Sequence, residues 1–386
     1  MRIGRREVLG GFLASTVATF PSRVLGSNFD RSVVIDGLGG LADPYAEAGS
    51  IHVSERGWRD WRKTGVDAVR ITVFPVGNGA DQWSAYRESI ESHQYWMAAN
   101  PGRFLLVDTA ADIRRAKQEG SIAIVFGTQD TSMVGTELDR LATMREDGIR
   151  TVQLTYNTRN LSGDGAIETD NAGLSKLGRA TIERIEEENL LLDLSHAGEN
   201  TTAQAIDHAT RPLTISHTGA RALADHPRNT GDAAMKAIAD KGGVIGLYFM
   251  PYLHAEMSPT AETVISHANH MLKIAGEDHI GIGTDNGPLP MPFDEQARRA
   301  MDEMQQERLD QGIAAPGEKI GFYPLVPDYN SLDRYRNFAR DLRRSGWSER
   351  QLEKFFGLNF LRVYEEAWSG RTITSHVKAA SKPPHS

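Results

Sequence analysis

The chain has 386 residues, of which 40% are hydrophobic and 24% charged, a balance that supports a large core and excludes wholesale disorder. Its 43 Lys and Arg residues against 51 Asp and Glu residues give a formal net charge of −8, which argues against a general nucleic-acid-binding protein. Because the sequence has no cysteine, disulfides and thiolate nucleophiles are excluded, and any metal must be bound by His, Asp, Glu or amide groups.

The N-terminus has the pattern of an export signal. Arg2, Arg5 and Arg6 precede a short apolar run over residues 8–20, which is shorter than the roughly 20 residues that span a bilayer. The adjacent pair Arg5 and Arg6 is typical of a twin-arginine signal. We therefore expect residues 1–27 to be removed, no stable membrane anchor, and a periplasmic or secreted protein; an ordinary basic N-terminus is the alternative.

The remainder of the chain alternates predicted strands with helical patterns. Apolar or β-branched runs predict eight strands, at 33–38, 68–74, 122–127, 151–157, 190–195, 213–217, 243–249 and 279–284. Helical periodicity is clearest at 177–188, 233–241 and 261–275. Eight parallel β/α units predict an α/β protein with one closed (β/α)8 TIM barrel over residues 28–368, followed by a loose polar tail at 369–386. A further apolar run at 104–107 leaves an open doubly wound sheet as the alternative.

Polar residues follow three of the predicted strands. His196 comes after the fifth strand, His217 closes the sixth and Asp285 follows the eighth. In a β/α barrel the carboxyl ends of the strands surround one site, so these side chains should lie close together. Two imidazoles with a carboxylate are a common ligand set for zinc. The alternative is that each His caps its strand through a backbone hydrogen bond.

Seven short motifs lie at residues 170–175, 191–196, 216–218, 226–229, 242–246, 281–285 and 357–363. Together they resemble the membrane (renal) dipeptidase family, a branch of the amidohydrolase-like barrels, over roughly residues 33–366. The resemblance implies a two-zinc hydrolase of dipeptides, with His196 and His217 binding one zinc. It also implies that Arg228 pairs with the substrate carboxylate and that Asp285 transfers a proton to the leaving amine.

The sequence departs from the family pattern at the metal ligands. Residues 36–40 read Asp-Gly-Leu-Gly-Gly, where typical members have an Asp-Gly-His-Asn-Asp motif whose His and last Asp bind a zinc. Gln129 stands at the position of the carboxylate that bridges the two metals, and Tyr156 at that of a His that contacts the reaction intermediate. We therefore expect one zinc ion rather than two, bound by His196, His217 and Gln129, with Tyr156 as a catalytic and substrate-binding hydrogen-bonding group. Asp130 is not expected to replace the missing carboxylate.

These features predict an exported, dipeptidase-like metallohydrolase that cleaves the amide bond of a small peptide or an amino-acid-derived substrate. Two alternatives stay open on the same barrel: a non-hydrolytic isomerase or lyase that uses Tyr156 and Asp285, and a ligand-binding pseudoenzyme. Ser195 and Ser216 are interpreted as groups that support the histidines rather than as nucleophiles. No nucleic-acid partner is expected, and a homodimer is one option for assembly.

Overall fold

The computed structural model of the protein describes residues 32–47, 49–77 and 79–370. The predicted signal at 1–27 and all but the first two residues of the predicted tail lie outside the described residues. The strands are β1 (Ile35–Asp36), β2 (Ala68–Thr72), β3 (Phe104–Leu106), β4 (Ile122–Thr128), β5 (Ile149–Gln153), β6 (Leu191–Asp193), β7 (Thr214–Thr218), β8 (Val244–Leu247) and β9 (Ile280–Ile282).

Helices connect these strands in the described part of the chain. They are α1 (Glu55–Thr64), α2 (Gln82–Ala99), α3 (Ala110–Glu119), α4 (Arg140–Glu146), α5 (Lys176–Glu187), α6 (Glu199–His208), α7 (Asp232–Asp240), α8 (Ala261–Ala275), α9 (Glu295–Asp310), α10 (Arg334–Arg344), α11 (Glu349–Glu353) and α12 (Asn359–Trp368). Among the described residues, no helix is both long enough and apolar enough to cross a membrane.

The strands form a parallel barrel in the order β1-β2-β4-β5-β6-β7-β8-β9. The barrel closes between β9 and β1, where the Gly37 amide donates to the Ile282 carbonyl at 2.9 Å and the Asp285 amide donates to the Leu38 carbonyl at 2.8 Å. The predicted (β/α)8 barrel is confirmed, and the open-sheet alternative is wrong because these hydrogen bonds join the two ends of the sheet.

The additional run at 104–107 contains a strand, β3, that is not one of the eight strands of the closed barrel. Phe104–Leu106 pairs with Ile122–Ile124 of β4, and β5 takes over the same edge of β4 from Phe126 onwards. The two short strands therefore share one edge of β4, which explains why the sequence pattern counted one strand more than a barrel of eight.

The C-terminal helix α12 covers the amino-terminal end of the barrel. Its side chains Phe360 and Tyr364 are buried in one cluster with Ile35, Ala68 and Val244, each of which is the first residue of its strand. Because the amino-terminal end is filled with apolar side chains, the opposite end is left for polar groups, as is usual in this fold.

Most predicted strands are longer than the observed ones at their carboxyl ends. The predicted strand 151–157 ends at Gln153, and the predicted strand 190–195 ends at Asp193. Beyond these points the backbone turns: His196 has φ 64° and Asp285 has φ 57°, a left-handed conformation that cannot continue a strand. The observed strands end early because the residues that follow them turn away from the sheet and place their side chains over the end of the barrel.

Candidate functional site

Three side chains from the ends of β4, β6 and β7 converge over the carboxyl end of the barrel. Gln129 directly follows β4, His196 lies just beyond β6, and His217 is in β7; all three side chains are buried. The amide nitrogen Nε2 of Gln129 lies 3.4 Å from Nε2 of His196 and 3.4 Å from Nε2 of His217. The two imidazole centroids are 4.9 Å apart. The structure thus brings the three predicted metal ligands together at one point.

The surrounding hydrogen bonds fix the tautomer of both histidines. Nδ1 of His196 donates to Oδ1 of Asn157, at 2.6 Å. The Ser216 hydroxyl donates to Asp193 at 2.6 Å and so accepts from Nδ1 of His217 at 2.8 Å. Both Nδ1 atoms are therefore protonated, and both Nε2 lone pairs face Gln129, which is the arrangement that a metal-binding imidazole requires.

The lowered pKa values of the two histidines agree with imidazoles that are each protonated on one nitrogen only. Burial holds the pKa of His196 and of His217 well below its ordinary value of 6.5, and the nearby Arg228 guanidinium lowers both further. The two imidazoles are consequently neutral at pH 7, and each directs an Nε2 lone pair at Gln129.

Two imidazole nitrogens and one side-chain amide converge at this point, and this set of neutral donors is chemically compatible with a metal ion. Among the described residues, no group of three or more His, Cys, Asp or Glu side chains is placed to bind a metal. Turning the Gln129 amide over exchanges its nitrogen and oxygen, so that Oε1 joins the two imidazole nitrogens as a third neutral donor. A second ion would need a bridging carboxylate, which Gln129 does not supply.

Asp36, at the end of β1, offers no replacement ligand. Its Oδ1 accepts from the Thr284 amide at 2.8 Å, and its Oδ2 accepts from the Thr284 hydroxyl at 2.6 Å and the Tyr335 hydroxyl at 2.7 Å. Asp130 is similarly engaged in its own loop, since it accepts from the Gly77 amide at 2.8 Å and from Asn160 at 2.6 Å. Both carboxylates stabilise loops at the strand ends.

The supporting role predicted for Ser195 and Ser216 agrees with the contacts. Asp193 is fully buried and accepts hydrogen bonds from both hydroxyls, at 2.9 Å from Ser195 and 2.6 Å from Ser216. The buried Arg70 guanidinium lies 3.5 Å from the same carboxylate. This network holds the backbone of β6 and β7 in register, directly beneath the two histidines.

Arg228 and Asp285 both line a cavity of about 290 Å³ next to the histidines. The Arg228 side chain is buried, and its Nη2 has no hydrogen-bond partner within the described part of the chain. A buried guanidinium with an unpaired donor is suited to a planar anion such as a carboxylate. Burial raises the pKa of Asp285 from 3.8 to about 6, although Arg228 and Arg308 act in the opposite direction.

Tyr156 packs between the histidine site and a pair of residues that sequence reasoning missed. Its ring stacks on His196 with centroids 4.2 Å apart, and its hydroxyl accepts from Arg308 at 2.9 Å. Arg308 also binds Glu318 through two hydrogen bonds, at 2.7 Å and 2.8 Å. Since the phenol oxygen accepts from Arg308, its own hydrogen remains available to a ligand, and burial raises the pKa of Tyr156.

The remaining walls of the cavity are largely apolar. They combine side chains from the end of β8, from the turn after β9 and from the segment that contains α9: Met250, Met291, Met301, Met304, Phe322 and Pro324. The lining of the cavity thus combines the charged and polar groups with methionine, phenylalanine and proline side chains.

The sequence matches one family model and is similar to several known proteins. A family model described as membrane dipeptidase (peptidase family M19) matches residues 47–305. An uncharacterized protein in the pqqA 5′ region of Klebsiella pneumoniae is 28% identical over 283 residues, which is 70% of this chain and 92% of that protein. Dipeptidase tcpJ of Claviceps purpurea is 25% identical over 283 residues, which is 72% of this chain but only 59% of the relative.

Solved structures share the barrel. An amidohydrolase from Pseudomonas aeruginosa superposes with a TM-score of 0.76 at 28% identity and covers 89% of this chain and 98% of its own. A metallopeptidase from Rhodobacter sphaeroides, liganded with a phosphinate mimic of the dipeptide L-Ala-D-Ala, gives a TM-score of 0.70 at 17% identity and covers 87% of this chain and 100% of its own. The second likeness concerns the fold alone.

Proposed function

Because the chain belongs to the membrane dipeptidase family, peptidase family M19, we propose that it is a dipeptidase-like hydrolase working with one metal ion. Its substrate is a dipeptide or a related amino-acid derivative with a free carboxylate, and the bond cleaved is the amide. The observation that carries this proposal is the convergence of the His196 and His217 Nε2 lone pairs on Gln129, beside a cavity that contains Arg228 and Asp285.

The metal that the family implies would be held by His196 and His217 through Nε2 and by Gln129 through Oε1. A bound divalent ion such as zinc supplies Lewis-acid polarisation and lowers the pKa of water. Three neutral donors leave its charge uncompensated, so binding is expected to be weaker than in a site with a carboxylate ligand.

The chain's own residues position the substrate. Arg228, which lines the cavity, binds the substrate carboxylate and thereby fixes the distance from the carboxylate to the neighbouring amide. The Tyr156 hydroxyl, oriented by Arg308, donates a hydrogen bond to the amide carbonyl.

Asp285 moves the proton. With a pKa of about 6 its carboxylate is mostly deprotonated at pH 7, and it accepts a proton from the attacking water. The same carboxyl group then donates that proton to the leaving amine. A raised pKa serves both steps, because it makes the carboxylate a better base and keeps the acid form accessible.

The test is product analysis with zinc-reconstituted protein and a panel of amide substrates that carry a free carboxylate. We expect free amino acid to be released, and Asp285→Asn to lose at least about 100-fold of this activity, whereas the exposed control Asp240→Asn on α7 retains it. No turnover of any amide by metal-loaded protein contradicts the proposal. A product that keeps its amide bond would instead indicate an isomerase or lyase.

We further propose that the protein is exported through the twin-arginine pattern at Arg5 and Arg6. A reporter fused after residue 27 should reach the periplasm, and the double variant Arg5→Lys, Arg6→Lys should retain it in the cytoplasm. Export that is unaffected by the double substitution contradicts this assignment.

A further inference from the structure

The cavity offers no carboxylate to pair with the α-ammonium group of a free dipeptide. Of the described residues that line it, two are acidic, Asp285 and Glu318. Asp285 has the proton-transfer role in the proposed function, so the assignment of an ammonium partner depends on Glu318.

Glu318 is already saturated by the protein. Its Oε1 accepts from Arg308 at 2.8 Å, from the Tyr252 hydroxyl at 2.5 Å and from the Ala315 amide at 2.9 Å, while its Oε2 accepts from Arg308 at 2.7 Å. Its side chain is 1% exposed. An incoming ammonium group would have to displace a bidentate guanidinium, which is among the strongest pairings available to a carboxylate.

Two carboxylates and two guanidinium groups are among the described residues that line the cavity, so their charges balance. Arg308 is neutralised by Glu318, which leaves Asp285 beside Arg228. An α-ammonium group would therefore have only Asp285 as a carboxylate partner, and an ion pair there would occupy the group that transfers the proton. Away from Asp285 the ammonium group would be buried without a partner and near the Arg228 cation, and burying an unpaired charge is strongly unfavourable.

The apolar side chains of the cavity indicate which kind of group takes the place of the ammonium-bearing residue. Met250, Met291, Met301 and Met304 line it together with Phe322. Methionine side chains are unbranched and flexible, and they adapt to apolar groups of varied shape. Such a wall packs well against an alkyl or aromatic chain and offers no hydrogen bond or ion pair to a charged group.

We infer that the substrates are N-acyl amino acids with an apolar acyl chain, rather than dipeptides with a free amino terminus. This inference rests on the proposed hydrolase function and specifies its substrate class. The amino-acid carboxylate binds Arg228, the amide lies beside Asp285, and the acyl chain contacts the methionine wall. In the reaction the amide C–N bond breaks, the water oxygen bonds to the acyl carbon, and a water proton passes through Asp285 to the amine. The products are a carboxylic acid and a free amino acid.

Hexanoyl-leucine and norleucyl-leucine provide a matched pair, because they differ only in the α-ammonium group. With zinc-loaded enzyme we expect hexanoyl-leucine to be cleaved with a kcat/KM at least about 30-fold higher, since unpaired buried polar groups give discrimination of this size or more. Equal or faster cleavage of norleucyl-leucine overturns the inference.

Binding to the zinc-loaded Asp285→Asn protein, measured by calorimetry, separates this inference from the proposed hydrolase function. Selective binding of hexanoyl-leucine without cleavage by the wild-type enzyme supports the ligand class and contradicts the hydrolase. Binding of neither compound overturns the inference.

A negative charge introduced into the methionine wall provides an independent test of the substrate class. Met304 is 40% exposed, so its substitution should not disturb folding. Met304→Glu should shift the ratio of the two substrates at least about tenfold towards norleucyl-leucine, because it supplies the missing carboxylate. Met304→Gln, of similar size but uncharged, should not shift that ratio. An identical ratio in Met304→Glu and Met304→Gln contradicts the assignment of this wall to the acyl group.

Discussion

The side-chain amide nitrogen of Gln129 lies 3.4 Å from Nε2 of His196, with its oxygen accepting from the Thr72 hydroxyl at 2.9 Å. His217 faces the same amide nitrogen at the same distance. In this orientation the two amide hydrogens satisfy the two imidazole lone pairs. A cation at this point would compete with those hydrogen bonds and require the amide to turn over, so we expect Gln129 to set the affinity of the proposed metal site.

Replacing Gln129 by Glu should strengthen metal binding. A carboxylate offers a charged oxygen to the ion in either orientation, whereas the amide must first turn over. We expect zinc affinity, measured by competition with a chromogenic chelator, to rise at least about tenfold in Gln129→Glu. Gln129→Met, which has no oxygen, should bind zinc more weakly than the wild type. Equal affinity in all three proteins would show that Gln129 is not a ligand.

Removing the Nδ1 acceptor of His196 should weaken the metal site without removing a ligand. Asn157 accepts from His196 at 2.6 Å and fixes its tautomer. We expect Asn157→Leu to lower zinc affinity about 10- to 100-fold, the usual effect of losing such a supporting hydrogen bond. Circular dichroism and thermal unfolding must show that the barrel is intact. Unchanged zinc affinity in a folded variant would contradict the tautomer assignment.

Arg228 should contribute mainly to substrate binding. Arg228→Met removes the partner of the substrate carboxylate and should raise KM about 100-fold, equivalent to about 3 kcal/mol. Arg228→Lys keeps the charge but loses the planar fork, so its KM should fall between those of the wild type and Arg228→Met. The exposed Arg344 on α10, at 73% side-chain exposure, offers Arg344→Met as a control that should leave KM unchanged. A fall in kcat at constant KM for Arg228→Met would contradict the binding role.

The pKa of Asp285, about 6, should make both the activity and the stability of the protein depend on pH. The deprotonated form acts as the base, so kcat/KM should fall about tenfold per pH unit below pH 6. The folded state binds this proton more tightly than the unfolded chain, whose ordinary pKa is 3.8. The free energy of unfolding should therefore decrease as pH rises from about 4 to 6, by up to about 3 kcal/mol.

Asp285→Asn should consequently be inactive and more stable than the wild type at pH 7. Asn tolerates the left-handed backbone, φ 57°, that position 285 requires, so the substitution adds no strain there. Urea unfolding at pH 4 and pH 7 checks the sign, because the stability gain should be present at pH 7 and absent at pH 4. An Asp285→Asn protein that is less stable than the wild type at pH 7 would contradict the conclusion that burial of the ionised Asp285 carboxylate destabilises the fold.

The strand positions beneath the site leave no room for added atoms. A Cβ at Gly246 in β8 would lie 1.8 Å from the Ser216 carbonyl oxygen of the neighbouring strand. Gly246→Ala should therefore separate β7 from β8 and reduce stability by about 3 kcal/mol. Gly231→Ala is the control, because a Cβ there has no neighbour within 4 Å. Equal unfolding midpoints for the two variants would contradict the close packing of these strands.

Much of the barrel was predictable because its strands are buried on both faces and read as continuous apolar runs. The convergence of Gln129, His196 and His217 was also predictable, since side chains at the carboxyl ends of neighbouring strands must meet. Strand ends were predicted less well. Tyr156 and Asn157 belong to an apolar-looking run, yet the backbone leaves the sheet at Gln153 to bring their side chains into the site.

The Arg308–Glu318 pair could not be predicted from local patterns. Arg308 lies on α9, whose sequence is strongly charged and in which Gln305 is the buried residue, so its pattern is that of a solvated helix. Its role depends on α9 folding back over the barrel to reach Tyr156, a contact between residues 152 positions apart. Only the tertiary structure reveals that Glu318 is saturated by Arg308, Tyr252 and the Ala315 amide.

The most direct test of the central claim is the number of metal ions per chain. Purified protein is reconstituted with excess zinc, freed of unbound metal and measured by inductively coupled plasma mass spectrometry, with the His196→Ala, His217→Ala double variant as the control. The structure predicts one zinc per wild-type chain and none in the double variant. Two ions per wild-type chain, no ions, or one ion that persists in the double variant would contradict a single-metal site at these residues.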